Sequence, residues 1–100
     1  MYVIIWKYKI KVEFREDFIT YYSSAGKWAE LFQKHQDFLG VEFAHVEEEE
    51  DTYITIDKWK SKESCVNFIA ANSATYRELD RQCDQFTQHE QLIGKFTLPS

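Results

Sequence analysis

Three side chains on the predicted β-strands of this chain are candidates for proton exchange with a ligand: Tyr8, His45 and Asp57. An imidazole titrates closest to neutral pH, and a partly buried carboxyl group with a raised pKa can act as a general base. A tyrosine hydroxyl can donate a hydrogen bond to an anion. These residue types indicate acid–base chemistry, although each also fits a structural role in a core, a hydrogen bond or a salt bridge.

Aromatic residues are abundant, with eight Phe, six Tyr and three Trp among 100 residues. Each buried ring removes about 150–250 Å² from water, and a chain of this length buries only about 60–70% of its unfolded surface. Some rings are therefore expected to line a ligand cavity or a subunit interface, with core packing as the alternative for each. The residues predicted to line a cavity are Tyr22, Trp28, Phe32, Trp59 and Tyr76.

Trp59 lies at the junction of two predicted elements in the segment "TYITIDKWKSKES", residues 52–64. A strand ends at Trp59, and Ser61 is a suitable N-cap for the helix that follows. At this position an indole can either plug the core or form a cavity wall whose N–H faces a ligand. Both interpretations hold if one face of the ring meets the core.

Hydrophobic periodicity divides the chain into six elements. Alternation with period two predicts strands, and recurrence at three and four residues predicts helices. Gly26 costs about 1 kcal/mol relative to Ala within a helix and so indicates a bend or break, and the "ANSAT" stretch, 71–75, similarly weakens the second helix. The predicted elements are strand 2–12, helix 15–36, strand 41–48, strand 52–59, helix 62–86 and strand 91–98.

The element order β-α-β-β-α-β predicts an α+β, ferredoxin-like domain. In this arrangement four antiparallel strands form one sheet, and two helices cover one of its faces. No linker or low-complexity segment interrupts the chain, and its one proline is Pro99. Residues 1–100 are therefore expected to form a single domain.

The second face of the predicted sheet also carries apolar side chains, including Val3, Ile5, Val46 and Ile93. A strand that is apolar on both faces needs cover on both sides. Two sheets packed face to face would supply that cover. The sequence therefore predicts a homodimer with an isologous interface.

The net charge of −5 and the lack of a basic face argue against nucleic-acid binding. Residues 1–12 lack the pattern of a signal peptide, and no apolar run reaches the length of a membrane span. A cytoplasmic protein that does not bind membranes is therefore expected. The acidic run "EEEED", 47–51, is expected to form a solvated hairpin tip.

The histidines and cysteines show no pattern typical of a metal or redox site. The three histidines lack metal-ligand spacing. If Cys65 and Cys83 share a helix, about 27 Å separates them, which is too far for a disulfide. Both thiols are expected to fill the core.

Five segments in order along the chain resemble the antibiotic biosynthesis monooxygenase domain family. They are "GKWAELF" (26–32), "FLGVEF" (38–43), "YITIDKWKSKES" (53–64), "YRELD" (76–80) and "LIGKF" (92–96). The resemblance runs over nearly the full length and implies a dimeric α+β barrel built from two ferredoxin-like subunits. It further implies oxygenation of a small phenolic or quinol-type aromatic by molecular oxygen, without flavin, metal or other cofactor.

Within this resemblance, Trp28, Trp59 and Tyr8 would hold the substrate ring, and His45 or Asp57 would take its proton. Haem-degrading enzymes of the same superfamily are similar in fold but use an Asn, a Trp and a His. The positions of these residues correspond to Lys7 or Tyr8, to Phe68 and to residues 78–80. Haem degradation is therefore not expected.

Two other functions are compatible with the same scaffold. One is a non-catalytic dimeric domain for ligand binding or stress response, since a fold does not fix a function. The other is isomerisation or decarboxylation by acid–base chemistry in the same pocket. Dependence on oxygen separates the second alternative from a monooxygenase.

Overall fold

The computed structural model describes residues 1–99. Single turns of 3-10 helix at Val12–Phe14 and Asp84–Phe86 precede α1 and β4. The strands and α-helices are β1 (Tyr2–Ile10), α1 (Arg15–Tyr22), α2 (Lys27–Phe32), β2 (Phe38–His45), β3 (Thr52–Trp59), α3 (Lys62–Ala71), α4 (Ser73–Cys83) and β4 (Thr87–Thr97).

The four strands form one antiparallel sheet in the order β2-β3-β1-β4. The helical segments α1–α2 and α3–α4 occupy the two helix positions of a β-α-β-β-α-β chain. This confirms the predicted ferredoxin-like α+β fold. The strand that follows the first helical segment is β2, which lies at the sheet edge because β3 pairs between it and β1.

Alternation along β1 sets which side chains meet the helices. Tyr2, Ile4, Tyr8 and Ile10 are buried on the helix side. One core cluster forms around Ile4 with residues of α2 and α3, and another forms around Tyr8 with residues of α1. Trp6 contacts both clusters and lies between them.

Both predicted helices are divided in two. At Gly26 an added Cβ would lie 2.7 Å from the carbonyl oxygen of Thr20, so the chain turns there in a way that only glycine permits. Between α3 and α4, the Asn72 side chain donates to the carbonyl of Phe68, and the Asn72 carbonyl accepts from Tyr76 N–H. The two interruptions lie where the sequence predicts weakness.

Irregular strand pairing makes β2 and β4 begin earlier than predicted, and it changes which sheet face some side chains of β4 occupy. β2 begins at Phe38 rather than at Val41, and Gly40 adopts φ 118° at a register shift. β4 begins at Thr87 rather than at Gln91, and Ile93 is an extra residue opposite β1. The sequence pattern predicts Leu92 and Phe96 on one face, but this β-bulge places them on opposite faces.

The acidic turn between β2 and β3 is exposed at residues 47–50, as predicted, and two of its acids also form ion pairs. Glu49 forms an ion pair with Lys7 at 2.7 Å, and Asp51 pairs with Arg15. Asp51 also adopts φ 60°, a left-handed conformation that aspartate tolerates. These contacts tie the turn to β1 and to the start of α1.

No helix within residues 1–99 is both long enough and apolar enough to cross a membrane.

Candidate active site

A cavity of about 340 Å³ lies between the sheet and the helices. Its volume is near the lower end of the range of ligand pockets, which starts at about 300 Å³. Six of the eight residues predicted to form a site line it together. They are Tyr8, Tyr22, Trp28, Phe32, Asp57 and Tyr76.

Asp57 lies on β3 opposite Ile4 of β1 and faces the helices. Its carboxyl group takes no part in any ion pair or hydrogen bond among residues 1–99, and burial raises its pKa from 3.8 to about 7. A carboxyl group of this kind exists in both protonation states near neutral pH. It can therefore accept a proton from a bound molecule and return it.

Tyr8 lies on β1, and its hydroxyl is 3.4 Å from Oγ1 of Thr55. Its ring packs at 5.3 Å from Phe18 and at 4.8 Å from Tyr22. Burial, more than the nearby carboxylates, raises the pKa of Tyr8 well above its usual range. The hydroxyl therefore stays protonated and can act as a hydrogen-bond donor in the cavity wall.

Trp28 is the centre of the aromatic wall contributed by the helices. Its ring centroid lies 5.0 Å from that of Tyr76, 5.9 Å from that of Phe32 and 6.2 Å from that of Tyr22. Burial raises the pKa of Tyr76 to about 12, and burial also raises that of Tyr22. The wall thus combines apolar ring faces with neutral hydroxyl groups.

Trp59 does not line the cavity. It is only 1% exposed and packs in the core with Phe32, Phe38 and Phe68 at centroid distances between 5.1 and 5.6 Å. Of the two interpretations of this residue, the structure shows the core plug. The indole fills the end of the sheet because β1 and β2 both place an aromatic residue opposite it, Tyr2 and Phe38.

His45 also lies outside the cavity. It is at the end of the edge strand β2, is exposed, and packs its ring 5.1 Å from Tyr53. The sequence pattern correctly predicts that it shares a face with Val41 and Phe43. Because the strand extends past the cavity, only Val41 of these three lines it.

Six further residues line the cavity, and the sequence indicates some of them. Trp6 shares the β1 face of Tyr8, and Thr55 shares the β3 face of Asp57. Asp80 lies one helical turn after Tyr76. Glu90 carries no such signal, because it precedes the predicted start of the last strand. The complete set is Trp6, Ala29, Val41, Thr55, Asp80 and Glu90.

Cys65 and Cys83 are separate free thiols buried in the core, as predicted. Burial raises the pKa of Cys65 to about 11 and also raises that of Cys83. Neither thiol lines the cavity. Across residues 1–99, no three His, Cys, Asp or Glu side chains are grouped to hold a metal ion.

No protein-family model and no curated protein matches the chain. Solved structures do match over nearly the full length. SnoaB, described as a cofactor-independent oxygenase from Streptomyces nogalater, matches with 13% identity and a TM-score of 0.72, covering 99% of this chain and 93% of that one.

Two other structures have the same fold. A putative antibiotic biosynthesis monooxygenase from Chloroflexus aurantiacus has 17% identity and a TM-score of 0.68, with 99% and 92% of the two chains covered. An uncharacterized NIPSNAP domain protein from Burkholderia xenovorans has 10% identity and a TM-score of 0.68, with 100% and 96% covered. At these identities the likeness shows a shared fold, namely that of the antibiotic biosynthesis monooxygenases and NIPSNAP proteins.

Proposed function

We propose that the protein is a cofactor-independent monooxygenase that acts on a small phenolic or quinol-type aromatic. The observation that carries this proposal is Asp57, an unpartnered carboxyl group in the wall of an aromatic cavity. Burying such a group costs free energy unless it gains a partner. A substrate hydroxyl that donates to Asp57 supplies that partner.

The substrate ring binds against the aromatic wall around Trp28. Tyr76 meets Trp28 edge to face at an interplanar angle of 62°, and Phe32 adds a further ring. Such a wall binds a planar ring through its faces and edges. The Tyr8 hydroxyl supports the position of the substrate oxygen as a donor.

Proton transfer to Asp57 makes the substrate oxidisable. The phenolate is electron-rich and passes one electron to molecular oxygen, which gives a substrate radical and superoxide. These combine at a ring or benzylic carbon as a peroxide. The carbon then loses a proton, the O–O bond breaks, and one oxygen atom remains as a carbonyl while the other leaves as water.

The substrate supplies all the electrons that this sequence needs. It loses two hydrogen atoms and gains one oxygen atom, and the second oxygen atom becomes water. The protein holds the ring, accepts the proton and limits the access of water to the intermediates. In this proposal no flavin or metal takes part.

The sheet face opposite the helices supports the proposal of a homodimer. Ile5 pairs with Ile56 on this face, and Phe96 of β4 lies beside them with 42% of its surface exposed. An apolar sheet face of this kind is suited to packing against a second sheet. We therefore propose that two copies of the chain pack through it.

Oxygen uptake by metal-stripped protein tests the proposed activity. The substrates are a panel of reduced quinols and anthrones, with autoxidation subtracted. Asp57→Asn is expected to lower the rate about 100-fold or more, because loss of a general base typically costs this much. Tyr8→Phe is expected to lower it less, since it removes only one donor.

Two histidine variants complete the experiment. His45→Gln tests the other predicted proton acceptor and is expected to retain activity, and His89→Gln is the control for an exposed residue. Equal uptake by Asp57→Asn and the wild type contradicts the proposal. Calorimetric binding of the same quinols without uptake by any variant favours the non-catalytic binding domain instead.

A further inference from the structure

The cavity is acidic as well as aromatic. Three carboxyl groups line it, from Asp57, Asp80 and Glu90, and no Lys, Arg or His of residues 1–99 does. None of the three forms an ion pair or hydrogen bond within these residues. The negative charge is thus not compensated by the protein itself.

These carboxyl groups lie at two ends of the cavity. Asp57 is opposite Ile4 on one side of β1, and Glu90 is opposite Tyr8 on the other side. The two β1 positions, Ile4 and Tyr8, are four residues apart in sequence, or about 13 Å along the strand. Asp80 and Glu90 both line the cavity and are both exposed, and the charge of Asp80 adds to burial in raising the pKa of Glu90.

Tyr8 extends from one end towards the other: it pairs with Glu90, and its hydroxyl is 3.4 Å from Oγ1 of Thr55, two residues from Asp57 on β3. The charges of both Asp57 and Glu90 add to burial in raising the pKa of Tyr8, and the same two charges, together with Asp80, act on Tyr76. A ligand that contacts the rings of Tyr8 and Tyr76 can therefore place one end near Asp57. Its other end then lies near the exposed pair Asp80–Glu90 at the mouth of the cavity.

Aromatic ring faces and carboxylates both attract cations. A cation over the face of Trp or Tyr is attracted by the negative charge of the ring face, and more strongly when water is excluded. Trp6, Tyr8, Trp28 and Tyr76 all contribute to the cavity wall. An anionic ligand would meet repulsion at both ends, whereas a ligand with a cationic end would be attracted at the mouth.

We propose that the ligand is a phenolic amine, with its ring and hydroxyl directed to Asp57 and its ammonium group bound between Asp80 and Glu90. The contact between the ligand hydroxyl and Asp57 rests on the function proposed above. The contact between the ammonium group and the pair Asp80–Glu90 has separate support, because these carboxylates of an aromatic cavity have no cationic partner within residues 1–99.

Anaerobic titration calorimetry at pH 8 with three probes of similar shape tests this proposal. The probes are tyramine, which carries an ammonium group, tyrosol, its neutral alcohol analogue, and 3-(4-hydroxyphenyl)propionate, a carboxylate. Tyramine is expected to bind at least about tenfold more tightly than tyrosol. The carboxylate is expected to bind most weakly.

The double variant Asp80→Asn/Glu90→Gln is expected to reduce the preference for tyramine over tyrosol to about twofold or less. Both residues are exposed, so the fold should tolerate the change. Glu63→Gln, which removes an exposed acid of α3 outside the cavity, is expected to keep the preference. Equal binding of tyramine and tyrosol, tighter binding of the carboxylate, or no binding of any probe overturns the proposal.

The result separates this proposal from the proposed activity. Calorimetry under anaerobic conditions needs no turnover, so a preference for tyramine stands even if no quinol or phenolic amine consumes oxygen. The protein could instead consume oxygen with neutral quinols and show no preference for tyramine over tyrosol. That result would support the proposed activity and overturn the proposal of a cationic ligand.

Discussion

Asp57 is a carboxyl group whose environment disfavours its charge. Burial alone raises its pKa to about 7, and no cation of residues 1–99 compensates it. Structural acids usually gain a partner that lowers their pKa. An acid held with a raised pKa in a cleft is typical of sites that transfer protons.

The raised pKa of Asp57 predicts how stability depends on pH. Because the folded-state pKa lies above the unfolded value near 4, the fold favours the protonated acid, and the free energy of unfolding should fall as pH rises from about 4 to above 7. Asp57→Asn should remove this fall and raise stability at pH 8 by on the order of 2 kcal/mol, since solvent at this half-buried position screens part of the full effect. Urea unfolding at pH 5 and pH 8 measures it.

A variant that is less stable than the wild type at pH 8 would contradict this prediction. Asp37→Asn is the control, since Asp37 is an acid already paired with Ser64 and Lys60. Its substitution is expected to destabilise the protein instead.

Strand alternation is sufficient to predict several cavity residues. Period two places Tyr8 and Asp57 on strands whose faces the helices cover. Trp59 and His45 have the same parity but lie beyond the ends of the cavity, because parity gives the face of a residue and not its depth along the strand. Glu90 was not predicted to line the cavity because β4 starts four residues earlier than its hydrophobic pattern indicates.

At the scale of elements, the break between α1 and α2 positions the aromatic wall. α2 begins at Lys27 directly after Gly26, which places Trp28 in its first turn beside Tyr22 at the end of α1. The Glu30 N–H then bonds to the Gly26 carbonyl at 2.9 Å. A continuous helix would direct Trp28 differently from the arrangement observed.

Gly26→Ala is expected to destabilise the protein by about 1–3 kcal/mol, because its Cβ would meet backbone atoms of Thr20 and Tyr21 at 2.7–2.8 Å. Chemical unfolding measures the loss. Ser24→Ala, at an exposed position of the same turn, is the control and is expected to change stability by less than about 0.5 kcal/mol. Equal losses in the two variants would contradict the explanation.

The type and order of the elements can be predicted from the sequence because their periodicity is strong. Residues of low helix propensity also locate both helix interruptions, at Gly26 and near Asn72. The bulge at Ile93 could not be predicted, since an extra residue in one strand depends on the partner strand and leaves no periodic signal.

For the whole molecule, the sheet has one face covered by helices and one bare apolar face. The bare face carries Ile5, Ile56 and Phe96, with Lys7 and Lys58 nearby. Two copies packed through such faces would bury the isoleucines, and Lys7 and Lys58 already form ion pairs with Glu49 and Glu42. The cavity lies on the opposite side of the sheet, so the proposed dimer interface and the cavity are on different faces.

Ile5→Lys is expected to convert the proposed dimer to a monomer, because a lysine would be buried between two sheets without a partner. Sedimentation velocity measures the change in mass. Ile19→Lys, at an exposed position of α1, is the control and should leave the oligomeric state unchanged. A wild-type protein that sediments as a monomer at micromolar concentration would contradict the dimer.

The most direct test of catalysis in the cavity is the pH profile of oxygen uptake. The substrate for this measurement is a phenol that the protein oxidises and whose own pKa is above 9. If Asp57 is the general base, kcat/KM of the metal-stripped protein rises with pH through about 7 and levels off above 8. Asp57→Asn then loses this rise together with most of the rate. A flat wild-type profile, or the same rise in Asp57→Asn, would contradict a role for Asp57 in the reaction.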